Sequence, residues 1–178
     1  MTDAELLDLA RCRGCDHYSM LNVAALDFNP AVRAMCAADR CHNYGRCWSC
    51  PPYCGTLEEI AAMAARYHRG ILFQCTQPME DDFDVEAMER GERRLKDAFQ
   101  KLCQDVGREY PNCLPMSAGA CRICEKCTCP DQPCRFPALS FPSMEAYGLI
   151  VSKTCEDSGL KYYYGPHTIT FTACILVD

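Results

Sequence analysis

The chain has 178 residues, 17 of them cysteine, and a formal net charge of −6 at pH 7. A cysteine content near one residue in ten is typical of secreted disulfide scaffolds and of metal-binding proteins. The acidic N-terminus lacks the basic and apolar regions of a secretory signal, which favours a cytoplasmic protein over a disulfide scaffold. No apolar segment predicts membrane insertion, and no cluster of Lys and Arg predicts nucleic-acid binding.

The first two elements that the sequence predicts are helices. Residues 3–10 predict a short helix, and Asn29 followed by Pro30 predicts the start of a second one. The uneven distribution of cysteines then divides a single predicted domain, residues 1–178, into four segments. These are a cysteine-rich zone at 12–54, a sheet and helix segment at 56–112, a second cysteine-rich zone at 113–137, and C-terminal helix and strands at 140–178.

A third helix and a first strand follow the first cysteine-rich zone. Thr56 and Glu59 form the sequence pattern of a capping box, which predicts a helix through about Tyr67 that Gly70 ends. The apolar run at 71–76 has the length and composition of a strand.

The longest predicted helix extends from about Phe83 to Val106. Its apolar residues recur at helical spacing, and its charged residues are expected to form a solvated face. The predicted core stripe consists of Val85, Met88, Leu95, Phe99, Leu102 and Val106.

The remaining elements complete an α+β fold. Residues 114–116 predict a short strand, 143–148 a short helix, and 168–177 a strand with clear apolar alternation. Residues 161–164 are expected to pair with that last strand as a hairpin. The fold class is therefore a single α+β domain, with a small mixed or antiparallel sheet packed by helices and two cysteine-rich cluster-binding loop regions.

The second cysteine-rich zone carries the strongest motif. Cys121, Cys124 and Cys127 form a C-x2-C-x2-C run like that of bacterial-type ferredoxins, which bind an iron-sulfur cluster. Cys134 is favoured over Cys129 as the fourth ligand, because the single-residue gap after Cys127 restricts the reach of Cys129 to another iron. Zinc is the alternative, although structural zinc sites favour separated C-x2-C pairs.

The first cysteine-rich zone has a less regular cysteine spacing than the second. Its spacing fits a second cluster held by Cys36, Cys41, Cys47 and Cys50. A structural zinc site that uses Cys12, Cys15 and two later cysteines is the alternative. The C-x2-C pair of Cys12 and Cys15 also fits a third site or a redox-active dithiol. The additional candidate ligands across both zones are Cys12, Cys15, Cys54 and Cys129.

Several of these motifs together resemble a known family. They are Cys36-x4-Cys41-x2-Tyr-Gly-x4-Cys50-Pro-Pro-Tyr, Ala118-Gly-Ala-Cys121-Arg-x-Cys124-Glu-x-Cys127, Cys134-Arg-x-Pro137 and Ser143-Met-Glu-Ala-x-Gly148. The chain is similar, over roughly residues 30–178, to small cysteine-rich proteins from anaerobic bacteria and archaea described as predicted metal-binding proteins of unknown function. The resemblance implies metal or iron-sulfur binding at both zones, through Cys36, Cys41, Cys50, Cys121, Cys124, Cys127 and Cys134. Cys47 is not among the shared positions, and the family brings no established reaction.

The sequence thus predicts two iron-sulfur clusters, of the 4Fe-4S type, that exchange electrons with a redox partner protein in anaerobic metabolism. One alternative is an iron-sulfur enzyme or enzyme subunit, an oxidoreductase component with an open cluster position in the first zone. A second alternative is a zinc-stabilised interaction module.

Outside the zones, Cys75 and Cys174 lie in predicted strands, where buried thiols are expected.

Overall fold

A four-stranded antiparallel sheet with helices on both faces forms the centre of the computed structural model, which describes residues 1–178. The strands are β1 (His17–Met20), β2 (Arg69–Pro78), β3 (Leu114–Met116) and β4 (Thr168–Val177), in the order β1-β2-β4-β3. The helices are α1 (Asp3–Cys12), α2 (Pro30–Ala37), α3 (Leu57–Ala64), α4 (Val85–Glu109) and α5 (Val151–Asp157). The predicted α+β class is confirmed. No helix is both long enough and apolar enough to cross a membrane.

Four of the five helices have an N-cap residue whose side chain accepts a backbone hydrogen bond. Thr2 and Thr56 form complete capping boxes with the glutamates three residues later, and these satisfy otherwise unpaired backbone N–H groups. The Asn29 side chain accepts a hydrogen bond from the N–H of Ala31, and Asp84 accepts one from Ala87. The predicted starts of α2 and α3 are therefore confirmed.

The two central strands are buried on both faces, which divides the core into two clusters. Towards α1 and α4, the sheet contributes Phe73 and Ile175 to one cluster. Towards α3 and α5, it contributes Leu72 and Leu176 to the other. Because both faces are covered, the last six residues of β4 are all buried instead of alternating between core and solvent.

Gly70 does not end α3 as predicted. The helix stops at Ala64, and Gly70 lies inside β2, which is longer than the predicted strand at both ends. A Cβ atom at position 70 would lie 2.9 Å from the carbonyl oxygen of Ile175, on the neighbouring strand. Glycine is therefore needed for close approach of two backbones, which a sequence pattern does not separate from helix termination.

The predicted helix at 143–148 is wrong. This segment forms a turn, in which the Ser143 hydroxyl accepts a hydrogen bond from the N–H of Ala146 and Gly148 adopts a φ of 86°. That local side-chain bond competes with helix formation. The helix, α5, begins only at Val151.

The predicted hairpin at 161–164 is also wrong, because β4 pairs with β2 and β3. Residues 161–164 form no strand, and the Tyr164 hydroxyl instead donates a hydrogen bond to the buried Gln74 side chain at 2.8 Å. β1 occupies the edge position beside β2 and was not predicted. All four of its residues are half-buried, so it has no alternation to detect.

The predicted apolar stripe of α4 is correct except at its start. Phe83 and Val85 are exposed by 88% and 61%, and Phe83 lies before the helix, which Asp84 caps. The buried stripe begins at Ala87 and continues through Leu95, Phe99, Leu102 and Val106.

Two glycines of α4 give a matched test of this packing. A Cβ atom at Gly91 would lie 2.9 Å from both Gln77 Cβ and a ring carbon of Phe171, whereas one at Gly107 would meet nothing within 4 Å. Gly107→Ala is therefore expected to stabilise the protein by about 0.5–1 kcal/mol, through helix propensity and reduced unfolded-state entropy. Gly91→Ala is expected to destabilise it by about 1–3 kcal/mol, because of overpacking. Urea denaturation followed by circular dichroism measures both, and equal effects would contradict the packing.

Candidate metal centre

The second cysteine-rich zone is a long loop whose two ends are fastened together. The N–H of Ser117 donates to the carbonyl of Pro142 at 2.8 Å, and the N–H of Met144 donates to the carbonyl of Ser117 at 2.9 Å. Between these points, residues 118–142 contain no helix or strand. The loop is therefore held at its base while its cysteines are free of regular backbone geometry.

Four cysteines of this loop surround one small cavity. The cavity measures about 20 Å³, and Cys121, Cys124, Cys127 and Cys134 all line it. Each of these cysteines is half-buried, so the cavity lies close to the protein surface. Cys129 does not line it. Its side chain is buried and its Sγ lies 3.9 Å from the carbonyl of Gly45, in the first zone.

Helix α4 anchors the start of this loop through charged side chains. Glu92 accepts hydrogen bonds at 2.9 Å from Lys96 and 3.1 Å from Arg122, and Lys96 also donates to the carbonyl of Ala120. These groups lie next to Cys121. The side chains of Glu92 and Lys96 are only 15% and 20% exposed, so this part of α4 is not the solvated face that the sequence predicted. Charge periodicity alone gives no signal for such a contact.

In the first zone, Cys47 and Cys50 are two neighbouring buried thiols. The contact with Cys50 lowers the pKa of Cys47 against the opposing effect of burial, and Ser49, whose hydroxyl lies 3.3 Å from Cys47 Sγ, lowers it further. The same contact, together with burial, raises the pKa of Cys50. This pair is therefore suited to carry a thiolate at neutral pH, which is the form that binds metal.

The other first-zone thiols face a different part of the molecule. Cys36 Sγ lies 3.9 Å from the carbonyl of Glu145, and Cys54 Sγ lies 3.7 Å from that of Ala146, so both face the turn at 143–148. Cys41 is exposed. Cys36 and Cys54 thus face the turn at 143–148, whereas Cys47 lies against Ser49.

Arg33 of α2 holds this side of the zone in place. Its guanidinium donates at 2.5 Å to the carbonyl of Ala146, at 2.7 Å to that of Gly55 and at 3.4 Å to Cys54 Sγ. This role was not predicted, because a lone arginine in a helix carries no motif.

The two zones are in direct contact. The hydroxyl of Ser49, which is 2% exposed, accepts a hydrogen bond from the N–H of Cys121 at 3.0 Å. It also lies 3.3 Å from Cys47 Sγ, so one side chain bridges a cysteine of each zone. The Trp48 indole donates to the carbonyl of Gln132 at 3.1 Å. Ser49 was not predicted, since nothing in the pattern distinguishes it from any other loop serine.

Cys12 and Cys15 do not act together. Cys12 is exposed, whereas Cys15 is buried in the same core cluster as Cys75. Cys75 and Cys174 are fully buried, as expected for thiols in central strands.

The side chains do not form a ready-made site for a single metal ion. No group of three or more His, Cys, Asp and Glu side chains is placed so that it could hold one ion.

One of the three comparisons with known proteins found a match. No curated protein and no solved structure matches the chain. A family model does match, over residues 19–177, which is nearly the whole chain and begins earlier than the expected resemblance. The chain therefore belongs to the family described as "Predicted metal-binding protein (DUF2284)".

Proposed function

We propose that this metal-binding protein holds two 4Fe-4S clusters, one in each cysteine-rich zone, and passes electrons to or from a redox partner in anaerobic metabolism. One observation carries the proposal: Cys121, Cys124, Cys127 and Cys134 line a single cavity within a loop that is fastened at its base. In this assignment these four thiolates bind one cluster. Cys47 and Cys50 belong to the second cluster, with Cys36 and Cys41 as its further ligands.

The placement of the thiols supports a cluster over a zinc ion. In a cubane, each thiolate binds a different iron, so the ligands surround the group, whereas four zinc ligands converge on one atom. The uninterrupted C-x2-C-x2-C spacing, with a fourth thiol lining the same cavity, favours the first arrangement. A cavity of about 20 Å³ has room for little more than a water molecule, so cluster binding requires the loop to open. Residues 118–142 have no regular structure to resist that movement.

Contact between the zones supports electron transfer. Ser49 bonds to Cys121 and lies against Cys47, so the proposed cluster ligands of the two zones are separated by one side chain. When bound, the clusters supply one-electron redox chemistry. The chain supplies the ligands, the hydrogen bonds to sulfur that tune the potential, and burial.

The partner is proposed to bind where the second zone is exposed. Ile123, Phe136 and Leu139 are exposed by 40%, 44% and 38%, and the first two line the cysteine cavity. In residues 121–137, Arg122, Lys126 and Arg135 outnumber Glu125 and Asp131, in contrast to the net negative charge of the whole chain. An acidic redox protein is the partner that this combination favours, because opposite charge accelerates and orients association.

Metal and sulfide analysis of anaerobically purified protein tests the proposal. About eight iron atoms and eight acid-labile sulfides per chain are expected for two cubanes, with a visible absorption band that bleaches on reduction. Stoichiometric zinc without sulfide would contradict the proposal and establish the zinc-stabilised module instead. About four irons and four sulfides would restrict the proposal to one zone.

An iron-sulfur enzyme is the second candidate, and a cavity beside Cys121 favours it. The cavity measures about 280 Å³ and is lined by Phe99, Phe141, Lys96 and Gln100 among others. This approaches the size of a small-molecule site, and the cavity reaches Cys121, whose N–H bonds to Ser49 of the first zone, where this candidate places the open cluster position. Cyanide, which binds iron that lacks a protein ligand, provides the test. A change in the EPR spectrum of the reduced protein would favour the enzyme, and an unchanged spectrum would favour the carrier.

A further inference from the structure

The end of α1 separates the two cysteines of the N-terminal C-x2-C pair. Gly14 adopts a φ of 81°, its N–H donates to the carbonyl of Arg11, and the N–H of Cys15 donates to that of Ala10, both at 3.1 Å. These two bonds form a Schellman motif, which ends a helix and turns the chain back against it. The turn directs Cys15 into the core, where it packs with Ala10, and leaves Cys12 on the surface.

Cys15 thereby meets a cysteine from β2, 60 residues away in the sequence. Cys15 and Cys75 pack in the same core cluster, and Cys75 Sγ lies 4.0 Å from the carbonyl of Gly14, the residue before Cys15. Two backbone contacts fix this arrangement. The N–H of Asp16 donates to the carbonyl of Gln74 at 2.9 Å, and the N–H of Thr76 donates to the Asp16 carboxylate at 2.8 Å.

A cation lies beside the thiol pair. The guanidinium of Arg94 donates at 2.8 Å to the carbonyl of Gly14 and at 2.7 Å to the Asp16 carboxylate. The neighbouring Cys15 thiol, followed by the charge of Arg94, lowers the pKa of Cys75 against the opposing effect of burial, and the same contact raises the pKa of Cys15. A thiolate next to a second thiol is the arrangement in which thiol–disulfide exchange proceeds.

We propose that Cys15 and Cys75 form a reversible dithiol–disulfide site, separate from the metal centre, that reacts with low-molecular-weight disulfides. Cys15 is 7% exposed and Cys75 is fully buried, so Cys15 is the entry point and Cys75 the resolving thiol. The C-x2-C motif alone suggested a different dithiol, between Cys12 and Cys15.

The reaction has two exchange steps. Cys15 Sγ attacks a sulfur of the small disulfide while its proton passes through the Cys75 thiolate to the leaving group, which forms a mixed disulfide and releases one small thiol. The Cys75 thiolate then attacks Cys15 Sγ, which forms the Cys15–Cys75 disulfide and releases the second small thiolate. That thiolate takes a proton from water, in place of the proton that Cys75 lost when it ionised. The protein dithiol is oxidised by two electrons, and the small disulfide is reduced to two thiols.

Trypsin digestion isolates each relevant cysteine, which allows a direct test. Cleavage after arginine places Cys15 as the only cysteine in residues 14–33, Cys75 as the only one in residues 70–90, and Cys12 in the dipeptide 12–13. The full chain is treated with oxidised glutathione, quenched in acid, alkylated, digested and analysed by mass spectrometry. A linked pair of peptides 14–33 and 70–90 is expected, and dithiothreitol should remove the link.

Two variants distinguish disulfide formation between Cys15 and Cys75 from oxidation of cysteines in general. Cys75→Ala should leave glutathione on peptide 14–33, whereas the buried-thiol control Cys174→Ala should retain the link between 14–33 and 70–90. Oxidation should also raise the Tm of the parent chain by about 5–10 °C, because the new bond closes a long loop, and Cys75→Ala should abolish that rise. Alkylation of both peptides after treatment, or a link between 12–13 and 14–33, would overturn the proposal. Neither the peptide link nor the change in Tm depends on the metal content of the protein.

Discussion

Cys124→Ser is expected to remove about half of the iron and sulfide from anaerobically purified protein, because one of two clusters loses a ligand. Cys124 lines the same cavity as Cys121, Cys127 and Cys134, so its loss leaves three thiolates for four irons. The first zone keeps all its cysteines and should retain its cluster. Iron and sulfide analysis, with integration of the reduced EPR signal, measures the loss.

Cys103→Ser is the matched control for this variant. Cys103 lies on α4, where burial raises the pKa of its thiol, and it packs against the first core cluster. The same chemical change there should leave iron and sulfide unchanged. If both variants lose iron equally, the loss reflects general destabilisation. If Cys124→Ser loses none, the assignment of the second zone is wrong.

Phe99→Ala is expected to lower the free energy of unfolding by about 3–5 kcal/mol, the range for loss of a buried phenylalanine. The Phe99 ring is 1% exposed. Its centroid lies 6.3 Å from that of Phe73 in β2 and 5.5 Å from that of Phe141, at the end of the second cysteine loop. The substitution therefore leaves a cavity between the sheet, α4 and that loop. Urea denaturation monitored by circular dichroism gives the value.

Phe83→Ala provides the control on the same segment of chain. Phe83 is 88% exposed, so its truncation should change the free energy of unfolding by less than about 0.5 kcal/mol. A comparable loss in both variants would show that the apolar face of α4 is oriented differently. The Phe99→Ala variant should also release iron faster than the parent chain, because Phe141 loses its packing partner.

Strong local patterns predicted most of the secondary structure. The capping box at Thr56, the cap at Asn29 and the apolar strand at 168–177 are each determined by interactions within a few residues, and all are present. The errors occurred where a distant contact decides the backbone. Gly70 belongs to a strand because the Ile175 carbonyl approaches it.

The candidate site also combines residues that the sequence identified with residues that it did not. The spacing of Cys121, Cys124 and Cys127 identified a ligand run from the sequence, because ligands so close along the chain meet in a tight loop. The residues that hold the run in place come from elsewhere. Ser49 contributes a buried hydroxyl from the first zone and Glu92 a carboxylate from α4, and neither has a local motif.

The sequence is sufficient to establish an α+β protein with two cysteine-rich zones and the C-x2-C-x2-C run, because periodicity, caps and short spacings act over a few residues. The tertiary structure alone determines which thiols meet. It joins the zones through Ser49, places Cys134 at the cavity and Cys129 elsewhere, and pairs Cys15 with Cys75 instead of Cys12. These pairings arise from the packing of α1 and α4 on the sheet and from the closed base of the loop at 118–142. Both depend on contacts between residues far apart in the chain, and sequence spacing carries no information about such contacts.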